Sequence, residues 1–404
     1  MKNILIITTV SGFLNKFEKD NVRILIDMGY TVHYAANMKE QIYLYDESEI
    51  TSMGVKLHHI DIAKSPYMLR DNIKAYHQIV DLVRQYNIQV IHCHTPVGGL
   101  LGRLAGRHFR KENLRVIYTA HGFHFYKGAP LINNTIYYAI EKLMAPYTDI
   151  MILINREDYE NACKFHLKKG GRVYQIPGVG LDRQKFSPLS YEEIQENRKQ
   201  LGIKEDDFFI VSVGELNENK NQEIVLKALA FMRDSGKDIS HIKYGVCGDG
   251  FYHDKLVQWI KDYRLEDTVT MYGYCKEVWK ILGSAQVSVF PSKREGLGMA
   301  ALESLSMGIP VIAADNRGTR EYMEHGKNGC VCRYNDAEAF ARSIDKMMNM
   351  DPERFEKMKL YSRKSTEPFE KSKTNQQMRK IYGTLDERTN TQKITVENKN
   401  YNSI

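Results

Sequence analysis

No apolar run in these 404 residues approaches the roughly 18–20 residues that a membrane span requires. The nearest imitation of a targeting segment is Ile4–Val10 (ILIITTV). No small-residue cleavage site follows it, and Lys16, Glu18, Lys19 and Asp20 arrive soon after. It reads instead as a buried first strand, and the protein is expected to be cytoplasmic. The six cysteines include no CxxC pair, and Cys330-Val-Cys332 stands alone. A structural zinc site needs about four convergent ligands, so reduced, structural thiols are expected. No repeat of solenoid length recurs. No recognition-helix pattern or aromatic–basic interleaving is present, which argues against nucleic acid as a partner.

What remains is an ordinary globular composition, 43% hydrophobic and 26% charged, on a chain long enough for two cores. The charge is lopsided. Residues 1–185 hold 24 Lys/Arg against 17 Asp/Glu, whereas the remainder holds 33 of each, so the net +7 sits in the first half with ten of the thirteen histidines. Part of it clusters in 102–115 (GRLAGRHFRKENLR) and 164–172 (KFHLKKGGR). The plain reading is a solvated surface. The functional one is attraction to anionic lipid headgroups or to a phosphate-bearing substrate.

Short β-branched runs alternate with helical patterns along the whole chain. Strands are expected at 3–9, 31–36, 56–60, 90–94, 116–121, 150–154 and 173–176, then at 208–214, 243–248, 269–272, 287–291, 311–314 and 329–331. Such alternation argues for parallel sheets covered by helices on both faces. Thirteen strands exceed one ordinary doubly wound sheet, so two are expected. The boundary candidate is 176–190 (IPGVGLDRQKFSPLS), rich in turn formers. This gives an α/β fold with an N-terminal Rossmann-like domain over 1–185 and a C-terminal one over 186–367. A late helical pattern at about 368–385 comes too late for the second sheet and is expected to cross back to the first domain. Residues 386–404 read as a loose polar tail. Ligands should bind in the cleft, beyond the carboxyl ends of the strands.

The stretch 292–304 (SKREGLGMAALES) follows a strand and sets Glu295 and Glu303 on either side of a Gly-rich helix start. A helix N-terminus offers unpaired N–H groups and partial positive charge, a ready phosphate site. Gly296 and Gly298 let a ligand approach the backbone. A carboxylate on each side of that site could grip sugar hydroxyls flanking a diphosphate, as a nucleotide-sugar would present them. Taken alone, the two glutamates read equally as a helix-dipole partner and an exposed side chain.

The wider run 295–329 (EGLGMAALESLSMGIPVIAADNRGTREYMEHGKNG) resembles the donor site of family 4 retaining glycosyltransferases, which have the GT-B fold of two facing Rossmann-like domains. The shared pattern is Glu, seven residues, Glu, a small-residue turn and then Gly-x-Pro-Val, here Gly308–Val311. The order of the other segments is similar too: a glycine loop, TAHGFH, GVGLD and VGELNENKN. The resemblance implies that Glu295 holds donor-sugar hydroxyls, Glu303 the ribose and Lys220 the diphosphate, with Gly296, Leu297, Gly298 and Met299 lining the donor. It places His121 opposite the donor sugar, and Gly12 and Glu321 near the donor. Catalytic weight falls on His121, Lys220 and Glu295.

Three positions depart from the family pattern. Glu215 stands in the donor region where the family often has an arginine, five residues before the lysine, so Lys293 or Arg294 would have to supply a second cation. Only Gly12 matches a usual glycine pair, and Asn316 and Arg317 precede a single Gly318. His94, His124 and Lys127 are acceptor-side candidates. His92 and His94 fall on one strand face, without an evident third metal ligand.

The implied activity is sugar transfer with retention, without a metal or other cofactor. The donor would be a nucleotide-diphosphate sugar, UDP-linked by preference. The acceptor would be a glycan, carried on polyprenyl diphosphate at the inner membrane face, in capsule or exopolysaccharide synthesis. The basic half and 123–144 suit peripheral contact with that face, although the aromatics there read as core. Two alternatives stand beside it: a non-catalytic nucleotide-sugar-binding or scaffold protein, and a nucleotide-sugar 2-epimerase, against which the Glu295/Glu303 motif argues.

Overall fold

A computed structural model describes residues 2–40 and 45–385. The polar tail expected at 386–404 lies outside the described residues.

Apolar runs without alternation need cover on both faces, which parallel strands receive from crossover helices. Ile4–Ile7, in the first strand, are completely buried, as such a run demands. Seven strands form the first sheet: β1 (Lys2–Val10), β2 (Tyr30–Asn37), β3 (Lys56–His59), β4 (Val90–His94), β5 (Arg115–Ala120), β6 (Ile150–Leu153) and β7 (Arg172–Gln175). Their order is β3-β2-β1-β4-β5-β6-β7, parallel throughout. Six strands form the second: β8 (Phe208–Val213), β9 (Ile242–Cys247), β10 (Val269–Gly273), β11 (Val287–Phe290), β12 (Val311–Ala314) and β13 (Gly329–Cys332). Their order, β10-β9-β8-β11-β12-β13, repeats the same winding. The order reverses between β1 and β4 in one sheet and between β8 and β11 in the other, and the loops leaving these strands frame the cleft.

The chain after β1 stays helical from Gly12 but passes through a π turn, Leu14–Glu18, before helix Lys19–Asp27. Such an inserted residue re-aims side chains and is frequent at functional sites. Here it turns Glu18 inward, where it is 1% exposed.

Part of the basic cluster at 102–115 is internal rather than solvated. Arg103, on helix Pro96–His108, is fully buried, bonded to Glu141 at 2.6 Å and stacked over Tyr118. A buried charge of this kind is tolerated only when paired. The aromatics of 123–144 are partly core, since Phe123 and Phe125 are buried, but Leu131, Ile132, Ile136 and Leu143 beside them are exposed.

Helix Lys371–Gly383 packs against helix Lys19–Asp27 of the first domain. The crossing is tied where Leu181 donates its N–H to the Phe369 carbonyl (2.8 Å) and accepts from the Lys371 N–H (3.0 Å). Lys371–Asp20 and Arg379–Asp27 ion pairs hold the outer face, and Tyr382 meets His92 Nδ1 at 3.0 Å inside. One apolar cluster runs from β1 through Ile154, Ile176 and Leu181 to Leu297, Leu302 and Tyr322, so the two domains share a core at the cleft floor. The six cysteines form no disulfide. Among the described residues no helix is long and apolar enough to cross a membrane.

Candidate active site

Two loops of the second domain are clipped together by asparagines. Asn219 donates to the Arg294 carbonyl (2.9 Å), and its own carbonyl receives the Lys293 N–H (2.8 Å). Asn221, in the left-handed region at φ 57°, donates to the carbonyls of Pro291 (3.1 Å) and Tyr334 (2.8 Å). Asn and Asp tolerate that conformation better than other non-glycine residues. These clips deliver Lys220, from the loop after β8, to Glu295, from the loop after β11: Nζ and Oε1 are 2.6 Å apart.

Helix Met299–Ser306 then opens at Gly298, whose φ of 92° suits glycine. Leu297 and Gly298 are buried and Gly296 and Met299 partly so. Glu303 sits within that helix, pushed up to about 7 by burial despite Lys16 and Lys185 nearby. Glu215 is exposed at the mouth of the first loop. Lys16, from the π turn of the first domain, feels Glu303, Lys220 and Glu215 across the cleft, and burial lowers its pKa.

The first domain contributes the loops after β1, β4 and β5. His121 Nε2 lies 3.1 Å from His94 Nδ1, and Glu18 Oε1 lies 3.4 Å from the same His94 nitrogen and 3.9 Å from His121. Phe13 packs its ring against both imidazoles. Burial holds His121 neutral, down at about 4, and pushes Glu18 up to about 8. The His121 side chain keeps 22% of its surface, open to the cleft.

His94 is fully buried behind it, so the expectation that His94 lines the acceptor gives way to a supporting contact with His121. His92 is also enclosed, between Thr119 Oγ1 (2.8 Å) and Tyr382. No metal-type cluster among the described residues includes the His92/His94 pair; His94 is instead grouped with Glu18 and His121. His124 is partly buried against Tyr137, and burial together with Arg294 and Arg317 takes it down to about 4. Lys127 is exposed, its N–H donated to Glu157 (2.7 Å). Gly12 is buried where the chain turns helical.

Arg317 joins the two domains. Its guanidinium bonds Asp158 (2.7 Å), the carbonyls of Phe123 (2.6 Å) and Phe125 (3.4 Å), and the Glu295 carbonyl (3.2 Å). Both side chains of the Arg317–Asp158 pair are buried. Asn155 adds a bond to the Gly296 carbonyl (2.9 Å). Glu321 is occupied the same way, accepting from the Arg156 N–H (2.7 Å) and Gln175 (3.3 Å).

Sequence reasoning noted Arg317 only as a departure, and it missed Asp158, Asn155, Lys16 and Glu18. Arg317 and Asp158 are 159 residues apart, a separation that carries no periodic signal. For Lys16 and Glu18, a lysine and a glutamate in the first glycine loop were the available hint.

The sequence and the two like-wound domains have counterparts among known proteins. Residues 193–365 match the family model for glycosyl transferases group 1, and residues 4–155 match glycosyl transferase 4-like. EpsD of Bacillus subtilis, itself a glycosyltransferase by assignment only, is 37% identical over 381 residues, covering 94% of this chain and 96% of EpsD. The chain belongs to the group 1 glycosyltransferases.

A second relative, the Escherichia coli UDP-Gal:alpha-D-GlcNAc-diphosphoundecaprenol alpha-1,3-galactosyltransferase, is 26% identical over 286 residues, covering 69% of this chain and 72% of that protein. HepE of Anabaena, solved with UDP-glucose, superposes with a TM-score of 0.74 at 16% identity, covering 95% of this chain and all of that one. The last likeness is one of fold: two Rossmann-like domains, the GT-B architecture.

Proposed function

We propose that this glycosyltransferase moves a sugar, with retention at the anomeric carbon, from a UDP-sugar to a saccharide carried on a lipid diphosphate. The observation that carries the reading is the 2.6 Å Lys220–Glu295 pair at the start of helix Met299–Ser306. Lys220 and the helix N-terminus stabilise the departing diphosphate as its charge grows. Lys16, reaching in from the other domain, supplies the second cation that Glu215 does not. Glu295 binds sugar hydroxyls, Glu303 the ribose, and the neutral His121 imidazole the sugar from the opposite wall. These charges take the place of a metal, which the transfer does not require. The leaving phosphate accepts the acceptor's proton on the attacked face. Closure of the cleft keeps water from the donor.

On the acceptor side, the lining of a cavity of about 620 Å³ includes Lys127, Arg156, Lys164, Arg317 and Arg320 together with Glu157, Glu160 and Glu321. The cations outnumber the carboxylates, which suits a diphosphate. The exposed Leu131, Ile132, Ile136 and Leu143 beside it suit the edge of a bilayer or a prenyl chain. The names of the Escherichia coli enzyme, a galactosyltransferase acting on a diphosphoundecaprenol-linked sugar, and of HepE with UDP-glucose support the choice of donor and carrier. Surface-polysaccharide assembly at the inner membrane face is the setting this implies.

The test is nucleotide release from a panel of UDP-, GDP- and dTDP-sugars, beside Glu295→Ala, followed by a comparison of lipid-linked and soluble acceptors. Release from one UDP-sugar, lost in the variant and accelerated by a lipid-linked saccharide, is expected. Binding without release on any acceptor would leave a nucleotide-sugar-binding protein. Neither binding nor release would overturn the reading.

A further inference from the structure

Among the described residues, Glu18, His94 and His121 form one group whose ligand atoms all lie within 4.8 Å of one another. They come from the π turn after β1, the last residue of β4 and the loop after β5, and meet at the floor of the cleft. The arrangement is not a relay in which each group uses a separate face. His94 Nδ1, His121 Nε2 and Glu18 Oε1 converge on one point, 3.1, 3.4 and 3.9 Å apart. A point about 2.0 Å from all three atoms satisfies those separations, which is the bond length zinc makes to imidazole nitrogen and carboxylate oxygen.

The surroundings match a coordination shell. Asn21 donates to the other Glu18 oxygen at 2.7 Å and fixes the carboxylate's orientation, as an outer partner of a ligand does. The opposite nitrogen of His94, Nε2, is buried without a partner, so that ring has no outer hydrogen bond of the kind Glu18 has. Phe13 and Phe17 wall the group with apolar surface. Two imidazoles and one carboxylate, with the cleft side open, suit a borderline divalent ion such as Zn2+, Co2+ or Ni2+ better than Mg2+ or Ca2+.

We infer that Glu18, His94 and His121 bind one Zn2+-class ion at the cleft floor. Its ligand atoms lie on the buried side of His121, where Nε2 meets His94 Nδ1 and Glu18 Oε1. Metal binding does not rest on the donor site proposed above.

The test uses the full chain, stripped with chelator and dialysed. Co2+ is titrated while visible absorption is followed, and X-ray absorption is recorded on the wild-type Zn2+ form. The expected result is one ion per chain, a first shell of nitrogen and oxygen with two imidazoles, and affinity at least tenfold weaker in Glu18→Gln and in His94→Gln. A sulfur-containing shell, a stoichiometric site indifferent to both substitutions, or no binding at 100-fold over the protein would overturn the site. The wild-type spectrum decides even if a variant fails to fold. If no donor in the panel turns over, the transferase reading fails while the metal titration still stands or falls alone.

Discussion

Lys220 and Glu295 neutralise each other at 2.6 Å, so each is held where the donor will need it. In the proposed reaction, the lysine would turn to phosphate and the carboxylate to sugar hydroxyls. Removing a charge aimed at a developing oxyanion costs about 10²–10³ in rate. Lys220→Ala and Glu295→Ala should each lower turnover of the donor by about that factor. Because the two residues share one contact, the double variant should be far less than additive, which a double-mutant cycle on kcat/KM will read.

Glu303 makes a different prediction. Burial keeps its carboxyl neutral up to about 7, and a carboxylate accepts a ribose hydroxyl better than a carboxyl does. Donor KM should therefore fall about three- to tenfold as pH rises from about 6 to about 8, and Glu303→Gln should flatten the profile. Stability runs the opposite way. A carboxyl whose folded pKa is raised favours the fold while protonated and loses that contribution as pH climbs from the ordinary carboxylate range to about 7. Glu303→Gln should accordingly melt higher than wild type at about pH 8 and gain little at about pH 5, by calorimetry at both values.

At the level of elements, all thirteen strands were legible, because continuous β-branched runs bounded by turn formers are what a two-sided parallel strand requires. The start of the donor helix at Gly298 was legible for the same reason, as glycine between a strand and a helical run. What the pattern did not carry was the π turn at Leu14–Glu18, since one inserted residue leaves the helical composition unchanged while rotating Lys16 and Glu18 to new directions. Nor did it carry the contact between loops.

Gly296 shows what that contact demands. A Cβ there would stand 2.0 Å from the His121 carbonyl oxygen, a backbone atom that cannot swing aside. Gly296→Ala should force the donor loop away from the histidine loop while leaving both sheets intact. The expected outcome is a fall of roughly 100-fold in kcat/KM, in line with a misplacement of about 1 Å. Far-ultraviolet circular dichroism should be unchanged. Wild-type activity in this variant would show that the two loops do not meet during turnover.

For the molecule as a whole, the division into two sheets and the returning helix at 371–383 could be anticipated from strand count and from the position of a late helical pattern. The way the halves are held together could not. Arg317 stood out only as an irregularity, yet its buried guanidinium ties four groups from both domains. A buried ion pair stabilises little compared with a well-packed apolar substitute, but breaking it from one side leaves an uncompensated charge and costs about 3–5 kcal/mol. Arg317→Met strands Asp158 in that way, whereas Asp158→Asn keeps hydrogen-bonding capacity near the arginine. Arg317→Met should therefore lower the urea midpoint more than Asp158→Asn, and pairing Arg317→Met with Asp158→Leu should recover part of the loss.

The loss should fall on the joint between the domains. Small-angle scattering of the Arg317→Met variant should report a larger radius of gyration than wild type, restored toward the wild-type value by saturating UDP-sugar, because in the proposed function the donor bridges the same two walls. Equal radii with an equal loss of stability would place the cost of the broken pair inside one domain and remove Arg317 from control of the cleft.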